Sequence, residues 1–333
     1  MNVLWIGDPH LKINRFELAK QFLAWTNSIV ALEKPDIIVN LGDTFDTHGV
    51  VRSEILTEFM KHVEECLKTS EYVYLLGNHD QWKPSDTTYH AIRHLKGKIK
   101  GFHVIDSIQD LFGMTFVPYQ HNPDTFPKIT KQICVAHQTF KGADYGDITT
   151  LDGVDPETVS ADIIISGHIH KKQVLGKVIY AGSPFAQSVN DINQIKGLIL
   201  FDTKTFREKF IQSPMPTWRG AKFELSKIYS CQDMDVEIRE LLKNTKDHWV
   251  LDITGPKAEI TAYLSAKSTI SIMATADVKI RTNFTDKEKK LTVIKAVSMD
   301  SIIKEYIDTV YSGALDRVNL HTKSMELLSK IDS

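Results

Sequence analysis

Five short polar strings rich in aspartate and histidine, each directly after an apolar run, constrain this chain more than any other feature. Such runs are typical of buried strands in an α/β sheet, which carry functional groups at their carboxyl ends. Five strand ends that deliver carboxylates, imidazoles and an amide predict one shared site. The strings, each with its run, are Asp8-Pro9-His10 after Val3–Ile6, Gly42-Asp43-Thr44-Phe45-Asp46 after Ile37–Leu41, Gly77-Asn78-His79-Asp80 after Tyr72–Leu76, Ala136-His137 after Ile133–Val135, and Gly167-His168-Ile169-His170 after Ile163–Ile165.

The residue types in these strings predict a centre of two metal ions. Residues two apart in extended chain point to the same side, so the pairs Asp8/His10 and His168/His170 can each reach an ion. Aspartate, histidine and asparagine suit manganese, iron or zinc, and two ions about 3.5–4 Å apart suit phosphate-ester chemistry. The predicted ligands are Asp8, His10, Asp43, Asn78, His137, His168 and His170, with Asp43 as the carboxylate that bridges both ions.

His79 follows the predicted ligand Asn78, and we expect it to be catalytic rather than a ligand. An imidazole there can protonate the leaving oxygen or stabilise charge on the phosphorus, which is worth roughly a hundred- to ten-thousand-fold in rate. Asp80 and Asp46 are predicted to orient His79 or a ligand imidazole. For His48, in the loop after Asp46, a substrate-facing role and simple solvation remain equally open.

Each string alone has an ordinary structural explanation. A single Asp after a strand is more often a turn or helix cap than a ligand, and a single His-x-His is more often a surface pair. The joint occurrence of five strings, in an order that can converge, favours the metal site over these alternatives.

Composition limits the partners and the compartment. The chain has 333 residues, 42% of them hydrophobic and 25% charged, which is ordinary for a globular protein of two domains. Its net charge of −2 provides no general attraction for nucleic acid, so phosphates would have to meet local basic patches or metals. Three scattered cysteines, no signal peptide and no bilayer-length apolar stretch predict a cytoplasmic protein without a membrane partner.

Strands and helices alternate over the first 120 residues, and from about residue 102 the pattern changes to short strands. Helical spacing of apolar residues predicts helices over Arg15–Leu32, Ser53–Leu67 and Thr87–Leu95. The Gly-, Asp- and Thr-rich stretch Gln138–Asp155 is predicted to be a long loop beside the site. The later strands are predicted at Phe102–Ile105, Met114–Val117, Val174–Tyr180, Lys196–Phe201 and Arg207–Phe210, beside the two that precede His137 and His168.

The composition changes at Ser213-Pro214-Met215-Pro216, where we place a domain boundary. The predicted organisation is residues 1–215 as the domain with the site, 221–281 as a small α/β domain, 282–296 as a charged linker and 297–333 as two amphipathic helices. The small domain has predicted strands at Phe223–Ile228 and Trp249–Ile253, and predicted helices at Met234–Leu242 and Ala258–Ser265. The terminal helices either dock a partner or pack on their own domain.

The ordered motifs D-x-H, G-D, G-N-H-D, H and G-H-x-H resemble the signature of the calcineurin-like metallophosphoesterase superfamily across residues 1–202. Within it, the chain resembles the SbcD-type DNA-repair nuclease subunits, which include bacteriophage members. Three features carry this narrower resemblance: the strand and turn Val178–Pro184 after the final histidine motif, the small α/β domain, and the helical tail after a charged linker.

The resemblance implies an α/β fold, a two-sheet α/β/β/α sandwich with a small α/β capping domain that binds DNA. It implies that Asp8, His10, Asp43 and His170 hold one ion, and that Asp43, Asn78, His137 and His168 hold the other, with His79 as the catalytic histidine. It also implies manganese-dependent exonuclease and endonuclease action on DNA, with magnesium, iron or zinc as other possible metals. The implied partners are a second copy of the chain, as a homodimer, and an SbcC-type coiled-coil ATPase bound by the tail, within a heterotetramer.

Two positions near Asp46 refine the resemblance. Protein Ser/Thr phosphatases of the superfamily carry an Arg shortly after this Asp, whereas Thr47-His48-Gly49 follows it here, which favours the nuclease branch. Many cellular relatives have a His in place of Asp46, linked to exonuclease action. Asp46 matches the bacterial and phage pattern, and His48 is available as a substitute, so the balance of exonuclease and endonuclease activity stays open.

Three functions follow in order of preference. The first is a metal-dependent DNA nuclease subunit, in which Lys171 and Lys172, just after the last ligand, contact the DNA backbone or form a solvated pair. The second is a phosphodiesterase for a small molecule or cyclic nucleotide, and the third is a scaffold subunit that only binds. The capping domain and tail argue against the second, and the complete ligand set with His79 argues against the third.

Overall fold

The computed structural model describes residues 1–48, 50–83, 86–146, 148–226, 230–243, 246–266, 269, 278–285 and 323. The chain divides into a unit of Met1–Asn283 and a unit of Phe284–Ser333. The architecture below belongs to the first unit. The helices predicted for 297–333 lie outside the described residues apart from residue 323, as does the predicted linker from residue 286 onward.

The first sheet has six strands in the order β14-β13-β1-β2-β3-β6. Strands β1, β2, β3 and β6 are parallel to one another. Strand β13 pairs antiparallel with β1, and β14 pairs antiparallel with β13. The strands are β1 Asn2–Ile6, β2 Ile37–Asn40, β3 Glu71–Leu75, β6 Phe102–Ile105, β13 Gly197–Asp202 and β14 Arg207–Gln212, while β4 Gln81–Lys83 and β5 Asp86–His90 form a separate hairpin.

The second sheet also has six strands, in the order β11-β12-β10-β9-β8-β7. Its four inner strands are parallel, and the two edge strands are antiparallel to their neighbours. The strands are β7 Gln109–Leu111, β8 Met114–Val117, β9 Ile133–His137, β10 Ile163–Gly167, β11 Gln173–Leu175 and β12 Val178–Tyr180. The strand predicted over Val174–Tyr180 is therefore two strands, because Gly176 adopts a φ of +55° and turns the chain back.

The two sheets pack face to face, and strand β1 illustrates how. Its residues alternate, so Leu4 and Ile6 face helices α1 (Phe16–Glu33) and α2 (Ser53–Cys66), while Val3 and Trp5 face the second sheet. Both faces of the central strands are therefore covered, which explains their uninterrupted apolar runs. The predicted two-sheet α/β sandwich is confirmed. Loops that contain Phe140, Val154 and Val159 cover the outer face of the second sheet.

The first two predicted helices are confirmed, and the third is wrong. Helix α1 ends at Glu33, and its C-cap residue Lys34 adopts a left-handed φ of +46° before Pro35. Residues Thr87–Leu95 instead form β5 and a single 3₁₀ turn, Arg93–Leu95, because Thr87, Thr88 and Tyr89 favour extended backbone. Among the described residues, no helix has both the length and the apolar character needed to cross a bilayer.

The part of the chain that was predicted to be a small α/β domain, called the small domain below, has a three-stranded sheet in the order β15-β16-β17 with two helices on one face. Its elements are β15 Trp218–Glu224, α3 Cys231–Leu242, β16 His248–Gly255, α4 Lys257–Ser265 and β17 Val278–Phe284. Strand β15 precedes and overlaps the strand predicted at Phe223–Ile228. Strand β17 was missed, and it corrects the start of the predicted linker from residue 282 to no earlier than residue 285. Its alternation of Val278, Ile280 and Thr282 with charged neighbours was the available signal.

The side chain of Phe59 connects helix α2 to the first sheet. It is buried, and its ring lies 5.4 Å from that of Phe45 and 5.8 Å from that of Tyr74. We predict that Phe59→Ala lowers the free energy of unfolding by about 3–5 kcal/mol, because it leaves a cavity in the core. Denaturation in urea measures this loss. The control Leu32→Ala, at a side chain that is 72% exposed in helix α1, should cost less than about 0.5 kcal/mol, and equal losses would contradict the packing.

Candidate metal centre

Five of the predicted ligands lie at the carboxyl ends of strands, and these strand ends meet at one edge of the two sheets. Parallel strands β1, β2 and β3 of the first sheet end before Asp8, Asp43 and Asn78. Parallel strands β9 and β10 of the second sheet end at His137 and just before His168. Because the two sheets face each other, their strand ends bring these side chains to a common site.

The backbone at four of the ligands is strained. Asp8, His10, Asp43 and His168 have positive φ angles of 23°, 43°, 48° and 81°, a region that non-glycine residues rarely adopt. Backbone hydrogen bonds hold the first turn in place, since the His10 N–H donates to the Asp43 carbonyl at 3.0 Å. Such strain persists only where the surroundings over-determine it, and it is concentrated at functional sites.

Two glycines of the motifs leave room for the ligands. A Cβ on Gly77 would lie 2.2 Å from Oδ1 and 2.4 Å from the backbone nitrogen of Asp43. A Cβ on Gly42, whose φ is +105°, would lie 2.4 Å from Nδ1 of His137. The G-D and G-N-H-D strings therefore require glycine so that neighbouring ligand turns can pack against each other.

The first ligand group consists of Asp8, His10 and His170. One ligand atom of each lies within 4.8 Å of the others, and the Nε2 atoms of the two histidines are 3.0 Å apart. Oδ2 of Asp8 is buried and has no hydrogen-bond partner among the described residues. An unpaired buried carboxylate oxygen beside two imidazole nitrogens is a suitable place for a cation.

The second group consists of Asp43, Asn78, His137 and His168. Nδ1 of His137 donates to the Leu41 carbonyl at 2.7 Å, so Nε2 presents a lone pair to the site. This Nε2 lies 3.1 Å from Oδ1 of Asn78 and 3.4 Å from Oδ2 of Asp43. Nδ1 of His168 lies 2.9 Å from the same Asn78 oxygen. When both imidazoles are neutral and present these nitrogens as acceptors, the atoms converge on one another, and a cation between them is the simplest way to satisfy them.

Asp43 lies between the two groups, as the prediction of a bridging carboxylate requires. Its Oδ2 is 3.6 Å from Nε2 of His10 on one side and 3.4 Å from Nε2 of His137 on the other. Its Oδ1 accepts a hydrogen bond from the His79 backbone N–H at 2.8 Å. One carboxylate can therefore serve both groups while the backbone fixes its orientation.

The electrostatics of the centre favour added positive charge. Burial opposes ionisation of Asp43, but the neighbouring imidazoles of His137 and His10 prevail and hold its pKa well below its usual range. Burial raises the pKa of Asp8 to about 6. Burial also disfavours the charged form of His137, yet the Asp43 and Asp8 carboxylates raise its pKa to about 9. A divalent cation supplies this charge and leaves His137 unprotonated as a ligand, so the residues fit metal ions.

His79 lies beside the ligands with its ring fixed by the backbone. Nδ1 donates to the Asp46 carbonyl at 3.0 Å, which leaves Nε2 to exchange a proton with a substrate. The ring of His48 stacks on that of His79, with 4.6 Å between centroids and 19° between planes. His48 is exposed, and its Nδ1 lies 3.3 Å from the carbonyl oxygen of Asn78. His48 therefore borders the site and is exposed, and a substrate-facing role for it stays a prediction.

Asp46 and Asp80 differ in what they support. The carboxylate of Asp46 lies 3.5 Å from Nδ1 of His10 and 3.0 Å from Nζ of Lys12, so it faces a ligand imidazole. The carboxylate of Asp80 accepts from the N–H groups of Phe45 and Gly77 and from the Tyr74 hydroxyl at 2.8 Å. Asp80 therefore joins the two ligand-bearing loops through their backbones rather than by contact with an imidazole.

Lys171 and Lys172 lie at the rim of a groove of about 770 Å³ next to the small domain. Their ammonium groups form ion pairs, with Asp144 and with Glu208. The lining of this groove also includes Lys222 of β15 and Arg281 of β17, two exposed cations that sequence reasoning missed. Neither of these cations forms an ion pair within the part of the chain that the structure describes.

Tyr119 is a further residue that sequence reasoning missed. Its ring centroid lies 5.5 Å from that of His168 and 6.1 Å from that of His137. It follows strand β8 by two residues, at the same edge as the other strings. Because tyrosine is not a typical ligand of these metals, position after a strand was the only available signal.

Comparison with known proteins gives consistent matches. The family model for calcineurin-like phosphoesterases matches residues 1–172. Proteins 078R of Invertebrate iridescent virus 3 and 244L of Invertebrate iridescent virus 6, both named as phosphoesterases, are 28% and 30% identical to this chain. These matches cover 65% and 60% of the chain, and 67% and 74% of the relatives. Exonuclease subunit 1 of Enterobacteria phage T4 is 24% identical over 66% of the chain and 69% of its own length.

The contact between Gly77 and Asp43 provides a test of the geometry. We predict that Gly77→Ala folds but binds Mn²⁺ at least about tenfold more weakly, because its Cβ displaces the Asp43 turn. Calorimetric titration with Mn²⁺ measures the affinity, and thermal melting checks the fold. The control is Gly97→Ala, which has nothing within 4 Å of its Cβ but carries a φ of +71°. It should lose about 1 kcal/mol of stability and no metal affinity; equal affinities for both variants would contradict the geometry.

Proposed function

Because this chain belongs to the calcineurin-like phosphoesterase family, we propose that it hydrolyses phosphodiester bonds of DNA with two divalent metal ions. The observation that carries the proposal is that two ligand groups, Asp8 with His10 and His170 and Asp43 with His137 and His168, converge beside the fixed imidazole of His79. A site that only bound ions would not require this additional imidazole. The proposed role is that of the nuclease subunit in an SbcD-type DNA repair and recombination complex.

The proposed ligands form two sets that share Asp43. Asp8, His10, Asp43 and His170 would hold one cation, and Asp43, Asn78, His137 and His168 would hold the other. Manganese is the proposed metal because the resemblance to SbcD-type subunits implies it; the carboxylate and amide oxygens suit manganese, and the four imidazoles also suit iron or zinc. When bound, such ions supply Lewis acidity that neutralises the phosphate ester and lowers the pKa of water.

His79 is proposed to act on the leaving oxygen. Burial lowers its pKa, so the free protein holds this imidazole largely neutral. A bound phosphate brings negative charge next to the ring and favours the imidazolium. With Nδ1 held by the Asp46 carbonyl, the new proton lies on Nε2, where it can be donated to the departing oxygen. His48, stacked on His79, excludes water from one face of the ring.

Two observations support DNA as the substrate. The phage T4 relative is named an exonuclease subunit. The groove of about 770 Å³ is lined by Lys222 and Arg281, which form no ion pair among the described residues, and by Lys171 and Lys172, which are paired with Asp144 and Glu208; Asp252 is an acidic neighbour. Two unpaired basic side chains in a protein with a net charge of −2 provide a local attraction for a polyanion. A phosphodiesterase for a small molecule would not need unpaired cations outside its metal centre.

The proposed assembly includes partners. The name of the phage T4 relative describes one subunit of an enzyme, which supports a subunit role here. We propose that a homodimer of this chain associates with an SbcC-type coiled-coil ATPase through residues 297–333. The proposal keeps the predicted domain limits: 1–215 for the domain with the site, 221–281 for the small domain and 282–296 for the linker. Because strand β17 extends to Phe284, the linker starts at residue 285 or later.

The proposed role of His79 predicts a separation of binding from turnover. His79→Ala should retain both Mn²⁺ ions, because the ring is not among the proposed ligands, and should lose about a hundred- to ten-thousand-fold in cleavage rate. Asp43→Ala should lose both metal binding and cleavage. The measurements are Mn²⁺ titration and degradation of duplex, single-stranded and hairpin DNA, beside a cyclic nucleotide and a phosphomonoester. Loss of metal by His79→Ala, or faster turnover of the small substrates than of DNA, would contradict the proposal.

We predict that loss of a cation from the groove changes DNA affinity but not the chemistry at the metal centre. Lys222→Gln and Arg281→Gln should each weaken DNA binding and lower its salt dependence by about one unit of slope, because each removes one phosphate contact. Hydrolysis of bis(p-nitrophenyl) phosphate should stay unchanged, since this small diester does not reach the groove. The control is Lys61→Gln, on helix α2 and paired with Glu58. Binding that falls equally in the control would indicate a general charge effect and exclude the groove.

A further inference from the structure

A buried lysine outside the ligand set connects two of the turns that carry ligands. We propose that Lys196, together with Asp191 and Gln187, is a positioning network for the cation site formed by Asp8, His10 and His170. The network acts much less on the site formed by Asn78, His137 and His168. This inference rests on the proposed metal centre and deepens it, because it assigns residues that affect one of the two ions.

The side chain of Lys196 is almost completely enclosed. Its relative exposure is 4%, and that of its partner Asp191 is 5%. Its Nζ lies 2.6 Å from Oδ1 of Asp191, 2.8 Å from the His170 carbonyl, 2.9 Å from Oγ of Ser183 and 3.0 Å from Oε1 of Gln194. Four acceptors thus surround an ammonium group with three N–H donors. A buried lysine so fully bonded fixes the positions of all the groups that it contacts.

The His170 carbonyl is the contact that matters for the centre. It accepts from Lys196 and from the Ser183 N–H at 3.0 Å. Gly182, with a φ of +73°, lies so close that a Cβ on it would be 2.9 Å from this oxygen. The backbone of His170 is therefore held from two sides, and its imidazole meets that of His10 at 3.0 Å between Nε2 atoms.

Asp191 extends the network to the other ligand turn. Its Oδ2 accepts from the N–H groups of Gln187 and Ser188, at 2.7 and 3.0 Å, and so fixes the Gln187 backbone. The Gln187 side chain is buried, and its Nε2 donates to the Pro9 carbonyl at 3.0 Å. Pro9 lies between Asp8 and His10, whose φ angles of 23° and 43° both need external support.

The second ligand group is held by different contacts. His137 is oriented by the Leu41 carbonyl, and Asp43 by the His79 N–H. Two hydrogen bonds join the groups, from the His168 N–H to Oδ1 of Asp8 at 2.8 Å and from the His10 N–H to the Asp43 carbonyl at 3.0 Å, and Ile169 connects His168 to His170. Loss of the network acts directly on the first group and reaches the second group through these links, so its effect there should be smaller. The asymmetry separates a positioning role from a general contribution to folding.

The test is a titration of the full chain with Mn²⁺. Calorimetry measures the affinities, and electron paramagnetic resonance reports on the bound ions. Lys196→Met removes the ammonium group. Gln187→Met removes the hydrogen bond to the Pro9 carbonyl and keeps a side chain of similar length. Each should weaken one of the two Mn²⁺ sites by about 10- to 100-fold and affect the other far less. The matched control is Lys177→Met, since Lys177 also donates to a backbone carbonyl, that of Val159 at 2.6 Å, away from the centre.

The same substitution in a variant that already lacks one ion shows which of the two sites is weakened. Asn78→Ala should leave only the ion at Asp8, His10 and His170, and adding Gln187→Met should then weaken this remaining ion. If Lys196→Met does not fold, as melting would show, Gln187→Met decides alone. Variants that keep both affinities, or that weaken both sites equally, overturn the positioning network. In that case DNA cleavage by the unaltered chain still supports the proposed function, whereas an unaltered chain that binds no Mn²⁺ overturns both.

Discussion

The centre of this protein depends on buried carboxylates that the protein itself only partly compensates. Asp8 and Asp43 are almost fully buried, and each receives a backbone hydrogen bond of 2.8 Å, from His168 and His79 respectively. Burial of an ionised carboxylate without a countercharge costs several kcal/mol, more than one such bond returns. The rest must come from protonated imidazole or from cations. Metal binding at this place is therefore coupled to folding as well as to chemistry.

The two-sheet arrangement explains why these groups meet despite their separation in sequence. Strand β1 faces helices with Leu4 and Ile6 and the second sheet with Val3 and Trp5, so it holds the layers together. Strand ends from both sheets then open at the same edge, and turns with positive φ aim their side chains inward. The glycines of the motifs let these turns touch, as the approach of Gly77 to Asp43 illustrates.

The sequence predicted the parts of the molecule whose signals are local. An apolar run followed by Asp or His identifies a buried strand and its functional end, which is why the strands before Asp8, Asp43 and Asn78 were predicted. Thr87–Leu95 failed because apolar spacing suggested a helix while Thr and Tyr favoured a strand. Lys196 could not be recognised, since a lysine at the start of a predicted strand gives no sign that four acceptors surround it. Its role arises from contacts with residues 2 to 26 positions away in the chain.

One segment connects the groove to the metal centre. Trp218 and Val250 of the small domain's sheet pack on Ala186, Val189 and Ile192, and further along the same sheet face lie Lys222 and Arg281. The segment 186–192 also contains the two residues whose contacts reach Pro9 and Lys196. The groove wall and one ligand turn are thus attached to a common support. A ligand held by Lys222 and Arg281, such as the proposed DNA, would therefore keep a fixed position relative to the centre, because a shift of the support would move both.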